Sequence, residues 1–165
     1  MDELMIHTLE QGGAQVGGRM HTLKEDTKLK YHECVRMMLD LGSQIETLKE
    51  HGWGLLYIDR QDITVTVDGS YILTPVEDLF SCDDRGRILI DRPFTYEETK
   101  MAPELKDITT LPSHVYYTCI YYSLKQLMLN VMGLDSIRQL YPTKLYFLME
   151  RCGELNPSDR IFVFI

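Results

Sequence analysis

The segment SHVYYTCIYYSLKQLMLNVMG, residues 113–133, most limits what this chain can become. Read at helical spacing, Val115, Tyr116, Cys119, Ile120, Tyr122, Leu124, Leu127, Met128 and Val131 leave hardly any polar face. A helix that is apolar on nearly every side belongs at the centre of a fold, with the rest of the chain wrapped around it. Pro112 and Ser113 mark its expected start and Gly133 its stop. Lys125, Gln126 and Asn130 interrupt the run, which is also too short and too polar to span a bilayer comfortably. The expectation is therefore a buried core helix and no membrane.

The flanking segments supply what such a helix needs around it. Across residues 31–49, Tyr31, Val35, Met38, Leu41, Ile45 and Leu48 recur at steps of three and four, one face of an amphipathic helix that Gly52 closes. Next, Ile63, Val65 and Val67 alternate with Thr64 and Thr66, followed by Asp68-Gly69 and by Tyr71 and Ile72. Alternation on both sides of Asp-Gly is a hairpin signal. Residues 81–99 read as a long surface segment with one short strand at RILI, residues 87–90. A final helix is expected from Thr143, a capping residue, to Cys152, with Gly153 as its stop. Ahead of all this, QGGAQVGG at residues 11–18 reads as a connector, because no Lys-Ser or Lys-Thr follows to make it a phosphate loop. The fold class expected is mainly α with a small β-hairpin (α+β), residues 1–30 forming a connector and residues 31–165 the domain.

Charge and composition exclude several functions. A net charge of -8 argues against nonspecific binding of nucleic acid or anionic membrane, both of which call for a basic patch. Cys34, Cys82, Cys119 and Cys152 stand far apart, and His7, His21, His32, His51 and His114 show no ligand spacing, so no metal site is expected. Cys34 and Cys119 sit inside apolar helical patterns, as reduced core thiols do. No basic-then-apolar start marks a signal peptide, and an intracellular, cytoplasmic location is expected.

The order of long helix, loop, hairpin, long segment, buried helix and final helix resembles the C-terminal lobe of a protein kinase. Four motifs carry the resemblance. LLYIDRQDITV, residues 55–65, stands where the family has HRDLKPENILV. MAPEL, residues 101–105, is similar to the APE motif that closes the activation segment. YYSLKQLMLNVMG, residues 121–133, resembles the helix usually written DVWSLG, and ERCGELNPSDR, residues 150–160, resembles the cluster ending in DPxxR. MIHTLEQGG, residues 5–13, is similar to the last strand of the N-terminal lobe running into the hinge, and residues 20–23 to the short helix after it.

The resemblance implies a lobe without its chemistry. Tyr57 falls at the catalytic aspartate and Asp62 at the metal-binding asparagine, while Leu55 and Leu56 replace His-Arg. A phenol with an ordinary pKa near 10 is no substitute for a carboxylate base. Pro75, Val76 and Glu77 stand where DFG is expected, and too little chain precedes the long helix to build an N-terminal lobe with its glycine-rich loop and lysine. Asp62 and Asp78 are the carboxylates that could face one cation, but without a lysine clamp neither a metal nor a nucleotide cofactor is expected. Glu104 and Arg160 are expected to form the ion pair that ties the activation segment to the lower lobe. Ile120 takes the place of the aspartate that braces the catalytic loop.

The expected function is thus a catalytically inactive, kinase-like (pseudokinase) domain serving as a protein-binding module or scaffold. It is similar in plan to the kinase non-catalytic C-lobe domains. Trp53, Leu55, Leu56 and Tyr57 form either a candidate partner surface or an internal plug. Two alternatives stay open: a structural or assembly protein, such as a virion component of a large DNA virus, and an atypical kinase.

Overall fold

The computed structural model describes residues 20–74 and 78–160. The stretches at 5–13 and 11–18, the Pro75, Val76 and Glu77 triplet and the terminal run at 161–165 lie outside the described residues. The fold is mixed α+β. The long helix α1 spans Tyr31–Glu50, a one-turn helix α2 spans Pro103–Lys106, the central helix α3 spans Cys119–Met132 and the last helix α4 spans Lys144–Cys152.

Helix α3 sits where its composition demands. Cys119, Ile120, Leu124, Leu127, Met128 and Val131 are all essentially inaccessible to solvent, and within the helix only Asn130 is exposed. It ends on Gly133, whose left-handed φ of 66° lets its N–H fold back onto the last turn. Around α3 pack α1, through Cys34, Met37, Met38, Leu41, Ile45 and Leu48, and α4, through Leu145, Leu148 and Met149. The buried stripe of α1 is centred on Met37 and Met38, one position from the expected line, so Tyr31 is exposed and Val35 half-buried. The Thr143 side chain caps α4 by accepting the N–H of Tyr146.

The β content is larger than one hairpin. Strands β1 (His21–Thr22), β3 (Ile63–Val65) and β4 (Tyr71–Leu73) form an antiparallel sheet in the order β1-β3-β4. The Asp68-Gly69 turn joins β3 to β4, with Ile63 opposite Leu73 and Val65 opposite Tyr71. Strand β2 (Trp53–Gly54) pairs with β5 (Phe80–Ser81), and β6 (Arg87–Ile90) pairs with β7 (Ser113–Tyr116).

Two expectations are corrected here. Residues 20–23 are not a short helix but an extended run, because His21 and Thr22 pair with Val65 and Thr64 and complete the sheet edge. The central helix does not begin at Ser113 but at Cys119. Residues 113–116 read equally well as alternation, with Val115 turned inward and His114 and Tyr116 outward, and the exposed edge of β6 supplies the partner that makes a strand win.

A second, smaller core lies between β5, β6, β7 and α2, built from Leu56, Phe80, Ile88, Ile90, Leu105 and Val115. The loop after β2 runs between the two cores.

Candidate functional site

The loop from Leu55 to Ile58 links the two cores residue by residue. Leu55 and Ile58 enter the main core at 3% and 0% exposure, while Leu56 enters the second core at 0%. Two side chains of α3 pin the loop backbone. Ser123 Oγ accepts the N–H of Ile58 and donates to its C=O, both at 3.1 Å, and the Cys119 thiol points at the C=O of Leu55 at 3.6 Å. The chain bends at Leu56, which turns that side chain into the second core while Leu55 and Ile58 on either side face the main core. Leu55 and Leu56 are therefore not a partner surface; that expectation is corrected, and the two leucines are an internal plug.

Trp53 is half-buried against the main core. Tyr57 is the one loop side chain turned outward. Its ring lies flat on Tyr96, with centroids 4.7 Å apart and planes 7° from parallel, and Tyr96 in turn stacks on Phe94 at 5.4 Å. The Tyr57 hydroxyl points at Asp59 Oδ2 at 3.4 Å. Burial, then the nearby charges of Asp59 and Glu97, drive its pKa far above the ordinary phenol value. Such a group stays protonated at any physiological pH and cannot take a proton from a substrate.

The turn that follows, Arg60–Asp62, is a single 3₁₀ turn whose ends are sealed by its own carboxylates. Asp59 Oδ1 accepts the N–H of Arg60, and Asp62 Oδ2 accepts the N–H of Asp59, each at 2.8 Å. Asp62 thus spends one oxygen on capping. Burial raises its pKa, the hydrogen bond from Asp59 opposes this, and the charges of Asp78 and Asp59 raise it further. Among the described residues no group of three His, Cys, Asp or Glu side chains could hold a metal ion.

Arg60, without an acidic partner among the described residues, is buried in a cage of oxygens. Its guanidinium donates to the C=O groups of Lys24, Thr27 and Asn130 and to the Asn130 side chain, at 2.5 to 3.3 Å. It thereby fastens the turn both to the end of α3 and to the segment ahead of α1. Beside it opens a cleft of about 630 Å3, bordered by Lys24, Glu25, Asp59, Gln61, Glu97 and Lys100. Lys100 closes one side by pairing with Glu97 at 2.9 Å and Asp59 at 3.5 Å. Burial pulls the Lys100 pKa down, but its hydrogen bond to Glu97 and the two carboxylate charges outweigh it, so the net shift is upward.

Away from the cleft, Glu104 on α2 and Arg160 at the end of the described chain form a bidentate pair at 2.5 and 3.0 Å. Arg160 is 1% exposed, and two more of its N–H groups go to the C=O of Glu154 and of Leu155. Its guanidinium also lies over the Tyr122 ring, 5.4 Å from the centroid.

Sequence reasoning missed three parts of this arrangement. Ile120, at the position expected of a bracing group, is simply core, and Ser123 one turn on does the bracing. A serine inside an apolar run was the available signal. The Arg60 cage and the Tyr57–Tyr96 stack had none, since their partners are 30 to 70 residues away in the chain. All four cysteines are buried free thiols. No helix among the described residues is long and apolar enough to cross a membrane. In comparisons with known proteins, no family model matches the chain and no curated protein matches it.

Proposed function

We propose that this chain is a protein-kinase-like C-terminal lobe that has given up phosphoryl transfer and works as a protein-binding module or scaffold. The observation that carries the reading is the state of the loop from Leu55 to Ile58. The side chain aligned with the family's base is a tyrosine, protonated and stacked under Tyr96, and its neighbours are committed to two cores. Electrostatic positioning of a phosphoryl group calls for a carboxylate and bound cations at that place, whereas a plugged loop contributes rigidity. The bidentate Glu104–Arg160 pair, between the APE-like segment and the last described turn, supports the same reading.

The cleft beside Arg60 is the binding site in this account. Its rim alternates charge, with Lys24 and Lys100 against Glu25, Asp59 and Glu97. A mixed polar rim over a rigid floor suits a protein segment more than an apolar small molecule. Affinity capture by the wild-type chain, set beside a variant with the exposed rim charges exchanged (Lys24→Glu with Glu25→Lys), tests it. A partner held by the wild type and lost by the exchange supports the cleft; partners held equally by both contradict it.

A further inference from the structure

Among the described residues the two-stranded sheet of β6 and β7 leaves one edge of β7 unpaired, and the hydrogen-bond parity fixes which groups are on it. Tyr117 donates its N–H to the C=O of Gly86 at 2.8 Å, so in this register Val115 faces Ile88 and Ser113 faces Ile90 as the bonded pairs. His114 and Tyr116 must then point their N–H and C=O groups the other way. The parity holds on the partner strand, where Arg87, opposite Tyr116, turns its backbone away from β7 to meet Asp83. No hydrogen bond within the described residues uses the outward backbone groups of His114 or Tyr116.

The strand borders a second cleft, of about 420 Å3, lined by all four residues of β7, by residues 107–110 and by Glu104 and Pro157. Across it, the exposed Asp107 makes no ion pair among the described residues, and the hydroxyls of Thr109 and Thr110 make no hydrogen bond there. Natural sheets protect an open edge with lysine, proline, a bulge, a very short strand or a covering loop. Ser113–Tyr116 carries no lysine, proline or bulge, and its length of four residues limits the edge to a short added strand.

We infer that β7 is a strand-addition site, which takes an extended segment of a partner protein carrying a basic side chain opposite Asp107. The main-chain groups of His114 and Tyr116 supply the ladder and Asp107 the charge complement, as in other edge-addition complexes. The site is separate from the cleft beside Arg60 and does not depend on the family to which the fold belongs.

Amide hydrogen exchange tests it, with a labelled hexapeptide of alternating valine and threonine, capped by lysine at each end, as the probe. In the free chain Ser113, Val115 and Tyr117 amides are expected to be protected, and those of His114 and Tyr116 open. With the peptide, His114 and Tyr116 become protected, and a glutamate-capped version binds about tenfold more weakly, a single ion-pair's worth of discrimination. His114→Pro removes one outward N–H and no bond to β6, a change edge strands tolerate, and it should abolish the effect; Asp107→Asn should erase the preference for lysine. Exchange at His114 and Tyr116 that the peptide leaves unchanged, or peptide binding that both variants retain in full, would overturn the proposal. So would protection that rises with protein concentration alone, which would make a second copy of this chain the occupant.

Discussion

Arg160 ties distant segments together through one side chain. It is buried, its charge is answered among the described residues by Glu104, and it holds the C=O groups of Glu154 and Leu155. Removing one partner of such a pair leaves the other uncompensated, at a cost on the order of 3–5 kcal/mol. Arg160→Ala is therefore expected to lower the denaturant midpoint by a large part of the domain's stability, read by chemical unfolding; an unchanged midpoint would contradict the buried pair. Asp62 behaves in the opposite sense. Burial raises its carboxyl pKa above the ordinary 3.8, so the folded chain holds this proton more tightly than the unfolded chain. The resulting penalty is absent at pH below that ordinary value, and grows as pH rises through the raised one. Asp62→Asn keeps an oxygen for the Asp59 N–H and removes the penalty. Thermal melts should show the variant more stable than wild type at pH 7, with the difference closing near pH 4; a difference that stays constant with pH would rule out the carboxyl's protonation as its cause.

Among the elements, α3 does two jobs, as the core's centre and as the anchor of the loop. The second depends on Ser123, whose hydroxyl is the only partner of the buried Ile58 N–H among the described residues. Ser123→Ala should cost about 1–3 kcal/mol, the penalty of an unsatisfied buried group. It should also speed hydrogen exchange at Ile58 selectively, and uniform exchange across the chain would argue against a local brace. Helix α1 likewise serves a strand. Asp40 Oδ2 accepts the N–H of Tyr71, and Gln44 bonds both the C=O of Tyr71 and the N–H of Leu73, which covers the outer edge of β4. Much of this scale was legible in the sequence. The Gly52 and Gly133 stops, the Thr143 cap and the Asp-Gly hairpin all follow from local chemistry. The start of α3 was not, because residues 113–118 satisfy both periods and the choice was made by β6, a strand more than twenty residues away. Residues 20–23 went wrong for the same reason: the pairing that straightens them belongs to β3. Asp40 and Gln44 looked like ordinary solvent-facing positions of an amphipathic helix, since nothing local indicates that a sheet edge will end beside them.

At the scale of the whole molecule, the described residues form two apolar cores, bridged by the loop from Leu55 to Ile58, by Cys119 and Ile120 at the start of α3 and by Leu79 and Phe80. Leu55 and Ile58 belong to one and Leu56 to the other. That loop ties the cores together, with Ser123 and Cys119 holding its backbone. Leu56→Ala should thus cost about 2–5 kcal/mol, as for any large core leucine, and unfolding followed at Trp53 and at the second core should lose its coincidence. Titrating the chain's melting temperature with magnesium and ATP asks most directly whether the loop is a plug or a working site. The account predicts no change in melting temperature at any nucleotide concentration up to the millimolar range. A saturable rise that follows mass action and needs both magnesium and ATP would contradict it.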